Sequence, residues 1–226
     1  MNPLASEFLD RRDAGRRLAG VLREEAGQRP LVLALPRGGV PVAHEVATAL
    51  GAPLDVLLVR KLGVPGHEEL AMGAIAEGGV RVLNDEVIAG LGIPARRIAE
   101  ATRLESAELT RRDRLYRAGR EALPRAGRTV LLVDDGLATG ATMAAAVEAA
   151  RAEGALRVVV AVPVASREAM ATLSRIADRC VALLVPAGFS GVGEWYEDFR
   201  QTTDEEVRTL LESAARQAPE CAGAPS

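Results

Sequence analysis

The chain has 226 residues, 48% hydrophobic and 26% charged, enough for a sizeable core within one soluble domain. Its 28 basic and 31 acidic side chains give a formal charge of -3, which excludes a bulk positive field that would draw nucleic acid or an anionic membrane to the whole surface. Two cysteines, Cys180 in an apolar run and Cys221 in a small-residue tail, exclude a disulfide framework and a thiolate metal site.

The first residues, MNPLASEFLDRRDAGRR, carry acids and arginines where a signal peptide would need its apolar segment. No stretch approaches the roughly 18 apolar residues of a membrane span, so a cytoplasmic setting is expected. Over residues 8–26, Phe8, Leu18, Val21 and Leu22 mark one face of a surface helix. LVLAL (31–35) reads as a short buried strand closed by Pro36-Arg37-Gly38-Gly39, and a helix is expected from about Pro41 to Leu50. LDVLLVR (54–60) is a second strand. After it, Gly63, Pro65 and Gly66 argue against helix, and GAIAEGGVRVL reads as a hairpin turning at Gly78-Gly79, able to carry a long mobile loop.

From Pro94 to about Arg120 the apolar positions thin to Ile98, Ala101, Leu109 and Leu115, with Glu108 four residues ahead of Arg112; one long solvated helix fits. TVLLV (129–133) is a third strand, followed by a helix ending at Gly154. LRVVVAVPV (156–164), a helix capped by Ser166, and CVALLVP (180–186) continue the alternation. The segment from Ala187 to Thr203 holds most of the aromatic residues, a helix is expected over Asp204 to Ala214, and residues 215–226 are expected to be disordered. Strands apolar throughout, alternating with helices, predict an α/β fold: a mostly parallel central sheet covered by helices on both faces. Ligands of such sheets bind beyond the carboxyl ends of the strands. That rim carries Pro36 to Gly39, Arg60-Lys61 and Asp134-Asp135.

The run VLLVDDGLATGAT drives an apolar strand into two adjacent acids and then a loop of small residues. Gly136, Leu137, Ala138, Thr139, Gly140, Ala141 and Thr142 lie between strand end and helix start, where free amides and the helix dipole favour an anion. The spacing and lysine of a Walker A loop are missing. Carboxylates beside a phosphate acquire a purpose if they face the vicinal hydroxyls of a ribose, directly or through Mg²⁺. Two other readings compete with this. Aspartates often merely open a turn, and a phosphoacceptor receiver domain also starts from a strand ending in Asp-Asp. The receiver needs another aspartate at the end of a following strand, and VVVAVPVAS has none.

VLLVDDGLATGAT resembles the phosphoribosyl pyrophosphate (PRPP) signature of the type I phosphoribosyltransferases, its Ala138-Thr139-Gly140 loop closest to the adenine type. The resemblance runs from about Leu31 to Phe199 and extends to LALPRGGVPVA and VRKLGVPGHEELAMGAI. It implies one domain over residues 1–226, with a core of about 28–187 and a hood of about 188–203 that takes N-terminal contributions. It also implies a homodimer, a PRPP substrate and an acceptor base.

By the same resemblance, Asp134, Asp135, Gly136, Ala138, Thr139, Gly140, Ala141 and Thr142 bind PRPP. Arg37, Gly38, Gly39, Arg60 and Lys61 hold pyrophosphate, with a cis peptide next to Arg37. Asp134, Asp135, Arg37 and Lys61 support the chemistry, and Mg²⁺ meets the two acids through water or ribose hydroxyls. Gly63 to Met72 matches the flexible loop that closes over the site, which would exclude water from a reactive glycosyl centre. Trp195 or Tyr196, in the hood with Phe189 and Phe199, would stack on a base or pack the small lobe. His44 reads as structural and His67 as an exposed loop residue or a substrate contact on closure.

One departure from the family pattern is Ala138, where hypoxanthine-guanine enzymes carry an acid, so no general base is assigned. Glu194, Glu197 and Asp198 are candidate acceptors for an exocyclic amine. A PRPP-sensing regulator with the same fold is the alternative. Basic residues such as those around Arg111 to Arg117 are interleaved with acids, which argues against a nucleic-acid surface.

Overall fold

The computed structural model describes residues 7–28 and 30–217. Five strands form a parallel sheet in the order β2 (Leu54–Val56), β1 (Leu31–Ala34), β6 (Thr129–Val133), β7 (Arg157–Val164), β8 (Arg179–Leu184). A separate antiparallel sheet holds β3 (Val59–Val64), β4 (His67–Ala76) and β5 (Arg81–Leu83). Successive side chains of a strand point to opposite faces, so each central strand feeds two cores. Val32, Ala34, Leu131, Val133, Val159 and Ala161 join one hydrophobic cluster, and Leu31, Leu33, Val130, Leu132, Val158 and Val160 join the other. The first cluster is covered by α1 (Arg11–Val21), α2 (Gly39–Leu50), α4 (Ala95–Arg117) and α7 (Asp204–Gln217). The second is covered by α5 (Ala141–Ala152) and α6 (Arg167–Leu173). A short α3 (Asp85–Gly90), capped by Asn84, follows β5 and was not expected from the sequence pattern.

The order of the central sheet places its topological switch between β1 and β6. Crossovers leave these neighbours in opposite directions, opening a crevice at their carboxyl ends. The loops after β1 and β6 flank that crevice, and the Leu35 amide donates to the Val133 carbonyl at 2.9 Å.

Several boundaries differ from expectation. LDVLLVR is not one strand: β2 ends at Val56, the buried Leu57 and Leu58 cross between sheets, and β3 begins at Val59. A continuous apolar run does not show where a chain leaves one sheet for another. The expected helix over 8–26 shortens to α1 and a 3-10 turn over Arg23–Gln28, and Phe8 instead pairs with Tyr196 in a parallel bridge. Over Gly63 to Met72, the expected flexible loop, β3 and β4 form a hairpin turning at Pro65-Gly66, with register shifts at Leu62/Gly63 and Gly63/Val64. Helix α7 continues through Gln217, so residues 215–217 are helical; the rest of the expected tail lies outside the described residues.

The antiparallel sheet is anchored by buried charge. Arg117, at the end of α4, donates to Asp55 at 3.0 Å, to Glu77 at 2.8 and 2.9 Å, to the Val56 carbonyl at 2.8 Å and to Asp113. Arg125 bridges Glu77 and Glu153. Glu77 therefore compensates two guanidinium groups that are almost wholly withdrawn from water, and removing one partner of such a cluster leaves charge buried without an answer. We expect Glu77→Ala to cost about 3–5 kcal/mol in denaturant-monitored unfolding. Glu100→Ala, which removes the exposed partner of Arg97, should stay within about 0.5 kcal/mol of the parent.

Candidate active site

The crevice is narrow because glycines let the two loops touch. A Cβ on Gly39 would lie 2.7 Å from the Val133 carbonyl oxygen and 2.9 Å from Asp134 Cα, and one on Gly38 would lie 2.0 Å from Asp135 Oδ2. The Pro36-Arg37 peptide is cis. The close approaches of Gly38 and Gly39 set loop 36–39 directly against the acidic pair.

Asp134 and Asp135 follow β6 and are partly buried. The Asp135 amide donates to Asp134 Oδ1 at 2.8 Å. Burial, and next the charge of Asp135, push the Asp134 carboxyl well above its ordinary value. Burial also raises Asp135, but Arg11 opposes the rise: its Nε donates to Asp135 Oδ2 at 2.8 Å. The Tyr196 hydroxyl donates to the Asp135 carbonyl at 2.5 Å. Burial and the neighbouring Asp135 hold the Tyr196 phenol well above its usual value, so it remains a donor.

The following loop is tied down at one end and open at the other. Leu137 is buried and bridges to Ala165, and Ser166 donates to the Ala138 carbonyl at 2.6 Å. Ala138, Thr139, Ala141 and Thr142 are exposed, and Gly140 turns the chain into α5 at φ 76°, a left-handed conformation glycine adopts without strain. A Cβ on Gly136 would meet Val192 Cγ1 at 2.5 Å, so the hood packs on the start of this loop.

The expected cations are dispersed. Arg37 lies with its Nη1 3.7 Å from Asp204 Oδ1, at the start of α7; Asp204 also accepts from the Tyr116 hydroxyl at 2.7 Å. Burial, then that bond, pushes Tyr116 up to about 12. Lys61 lines a cavity of about 460 Å³ together with Ala141 and Thr142, which brings it beside the first turn of α5. Arg60 departs from expectation: it belongs to β3 of the antiparallel sheet and not to the end of a parallel strand, and its Nε is 2.6 Å from Glu105 of α4. Tyr196 is also reassigned. It is buried between Phe8 and Phe199, with ring centroids at 5.3 and 5.0 Å, which engages its ring where a stacked base would need it open. Trp195 is partly buried, its Nε1 enclosed without a hydrogen-bond partner among the described residues. His44 sits in α2 with both ring nitrogens enclosed and its pKa lowered by burial, while His67 is exposed at the start of β4.

A second cavity, of about 440 Å³, lies on the hood side, where Arg11 meets Pro41, Asp198, Arg200, Thr203 and Glu206. Neither of these two cavities has Asp134 or Asp135 in its lining. Arg11 and Asp204 are the site-adjacent groups that local sequence patterns missed; each reaches the crevice from a distant helix.

A family model described as "Phosphoribosyl transferase domain" matches residues 5–193. The chain belongs to the phosphoribosyltransferase family. Its central sheet and helical layers are those of the type I phosphoribosyltransferase fold. Two Mycobacterium tuberculosis proteins, from two strains and both named "Putative phosphoribosyl transferase", are 52% identical to it over 209 residues. The match covers 92% of this chain and 47% of theirs, so the chain spans about half the length of the curated relatives it matches. The crystal structure of a Thermus thermophilus protein, TT1426, shares 47% identity and a TM-score of 0.83, covering 92% of this chain and 98% of that one.

Within this phosphoribosyltransferase fold, Gly39 tests the close approach of the two loops. Gly39→Ala forces a methyl group onto β6 backbone, which cannot yield as a side-chain tip would. A loss of about 1–3 kcal/mol in unfolding experiments is expected.

Proposed function

We propose that the protein moves the 5-phosphoribosyl group of PRPP onto a nitrogen of an acceptor base, releasing pyrophosphate. The observation that carries this reading is the juxtaposition of loop 36–39 with the acidic pair at the switch point, beside the open loop that starts α5. In this reading the backbone amides of residues 136–142 and the hydroxyls of Thr139 and Thr142 receive the 5-phosphate, with the helix dipole favouring the anion. Asp134 and Asp135 accept from the ribose hydroxyls and favour the positive charge that develops at C1 as pyrophosphate departs. Arg37, the amides of Gly38 and Gly39, and Lys61 receive the leaving group. Trp195 remains the candidate platform for the base. Catalysis is then mainly positioning and electrostatics, without a side chain assigned as general base.

Magnesium fits as a shared ion. The acidic pair offers hard carboxylate oxygens, the donor type it prefers, but no group of three or more His, Cys, Asp or Glu suited to a metal occurs among the described residues. Asp134 and Asp135 would hold it together with oxygens of the ligand, directly or through water. When bound, it would neutralise charge on pyrophosphate.

A homodimer, a cytoplasmic setting and a role in purine or pyrimidine salvage belong to the same reading. The homodimer and the salvage role rest on the resemblance, and the cytoplasmic setting on composition; no described helix is long and apolar enough to cross a membrane.

Pyrophosphate release from PRPP, assayed against a panel of purine and pyrimidine bases with magnesium and with EDTA, tests the reaction. We expect metal-dependent release with at least one base, lowered by about 100-fold or more in the Asp134→Asn, Asp135→Asn double variant. PRPP binding without release for any base would instead favour a PRPP-sensing regulator.

A pH experiment tests the cost of the acidic pair. An acid whose folded pKa is raised binds more protons folded than unfolded, so its contribution to stability falls as pH rises above its ordinary 3.8. Asp134→Asn keeps an oxygen for the Asp135 amide but removes that charge. Its melting temperature is expected to exceed the parent's at pH 8, with the gap closing toward pH 4; a gap that does not depend on pH would contradict the assignment.

A further inference from the structure

Arg11 reaches across the fold to the second acid of the motif and is held there by three groups at once. Its Nε donates to Asp135 Oδ2 at 2.8 Å, its Nη1 donates to the Arg200 carbonyl at 2.7 Å, and its guanidinium carbon lies 3.9 Å from the centre of the Phe199 ring. Its side chain is 11% exposed. Exposed ion pairs are rarely held from three sides and contribute little. This one combines a planar fork, a carbonyl and an aromatic face, an arrangement lysine cannot reproduce.

A tie between the N-terminal segment and the hood would not need this reach. That join is already made by the backbone: Phe8 donates to the Trp195 carbonyl at 3.0 Å, Glu197 to that of Phe8 at 2.8 Å and Asp198 to that of Leu9 at 2.9 Å. What Arg11 adds is control of Asp135. With Oδ2 held by Arg11, the carbonyl held by Tyr196 and the amide donating to Asp134, the carboxylate is fixed in one orientation against that of Asp134, and Oδ1 is the oxygen that Arg11 does not hold.

We propose that Arg11 is a positioning residue for PRPP, fixing the Asp135 carboxylate so that Oδ1 meets the ribose hydroxyls while the guanidinium offsets one of two adjacent negative charges. The proposal rests on the PRPP reading above. Arg11 does not itself touch the ligand. It acts through Asp135, which separates this role from direct binding of phosphate by an arginine.

Calorimetric titration of PRPP in the presence of magnesium tests this, using the parent, Arg11→Gln, Arg11→Lys, Asp135→Asn and the Arg11→Gln, Asp135→Asn double variant, each with its melting temperature. We expect Arg11→Gln to weaken PRPP binding by about tenfold in the parent and by less than about twofold in the Asp135→Asn background, because contacting residues couple. Arg11→Lys should fall between the parent and Arg11→Gln, since it keeps charge but not the fork. A lower melting temperature with unchanged PRPP affinity in Arg11→Gln would make the arginine a structural tie and overturn the proposal. Equal losses in both backgrounds would make it a direct ligand contact and overturn it as well. If Arg11→Gln does not fold, Arg11→Lys decides, and parent-like affinity there overturns the proposal. A parent that fails to bind PRPP overturns the functional reading itself, whereas a parent that binds while the variants are unaffected overturns only the role of Arg11.

Discussion

Two carboxylates side by side at the end of a buried strand repel each other and lose hydration, and the rim of this sheet is arranged around making that tolerable. Burial raises both groups, Arg11 opposes the rise at Asp135, and Asp134 takes a backbone amide. The glycines of loop 36–39 then bring a second backbone against the pair, which a side chain at either position would prevent. In many folds two such acids would be a liability to be removed. Here the surrounding chain supports them, as it does where strain or charge serves a site.

Rigidity and openness are divided between neighbouring elements. The parallel sheet fixes the ends of β1 and β6, and the buried cluster around Arg117, Arg125 and Glu77 fixes the root of the antiparallel sheet. Against these fixed parts, Ala138, Thr139, Ala141 and Thr142 stay exposed, with the buried Gly140 turning the chain between them. Such loops carry function because a rigid scaffold positions them while their own backbone stays accessible. Lys61 connects the two regions, since it projects from β3 of the anchored antiparallel sheet into the cavity beside Ala141 and Thr142.

The sequence disclosed those parts of the fold that depend on local pattern. TVLLV occupies the bounds read for it, Ser166 caps its helix through the Ala169 amide, and the hairpin turns at Gly78-Gly79, because propensity, caps and turn residues act over a few positions. The long helix was legible from its stripe at Ile98 and Leu109 and its Glu108-Arg112 pair, which forms at 2.7 Å. The motif VLLVDDGLATGAT disclosed the acidic pair and its loop. The rest was set by partners far away in the chain. Nothing within LDVLLVR marks the crossing at Leu57-Leu58, and Arg60 faces Glu105 because of where α4 packs. Tyr196 carries the chemistry of a stacking platform, yet its ring is enclosed by Phe8 from the other end of the chain. Arg11, one of several arginines in an unremarkable amphipathic stretch, is distinguished by its contacts alone.

Arg11 and Asp135 are 124 positions apart, and the Phe199 ring and Arg200 carbonyl that orient the guanidinium come later still. As the polypeptide leaves the ribosome, the cation emerges first, the acids more than a hundred residues afterwards, and the pieces that lock them together later still. A truncated or still-growing chain can build much of the parallel sheet yet hold its acids unclamped. Assembly of the rim thus waits until Phe199 and Arg200 have joined the fold, a non-local closure of the kind that makes folding slow.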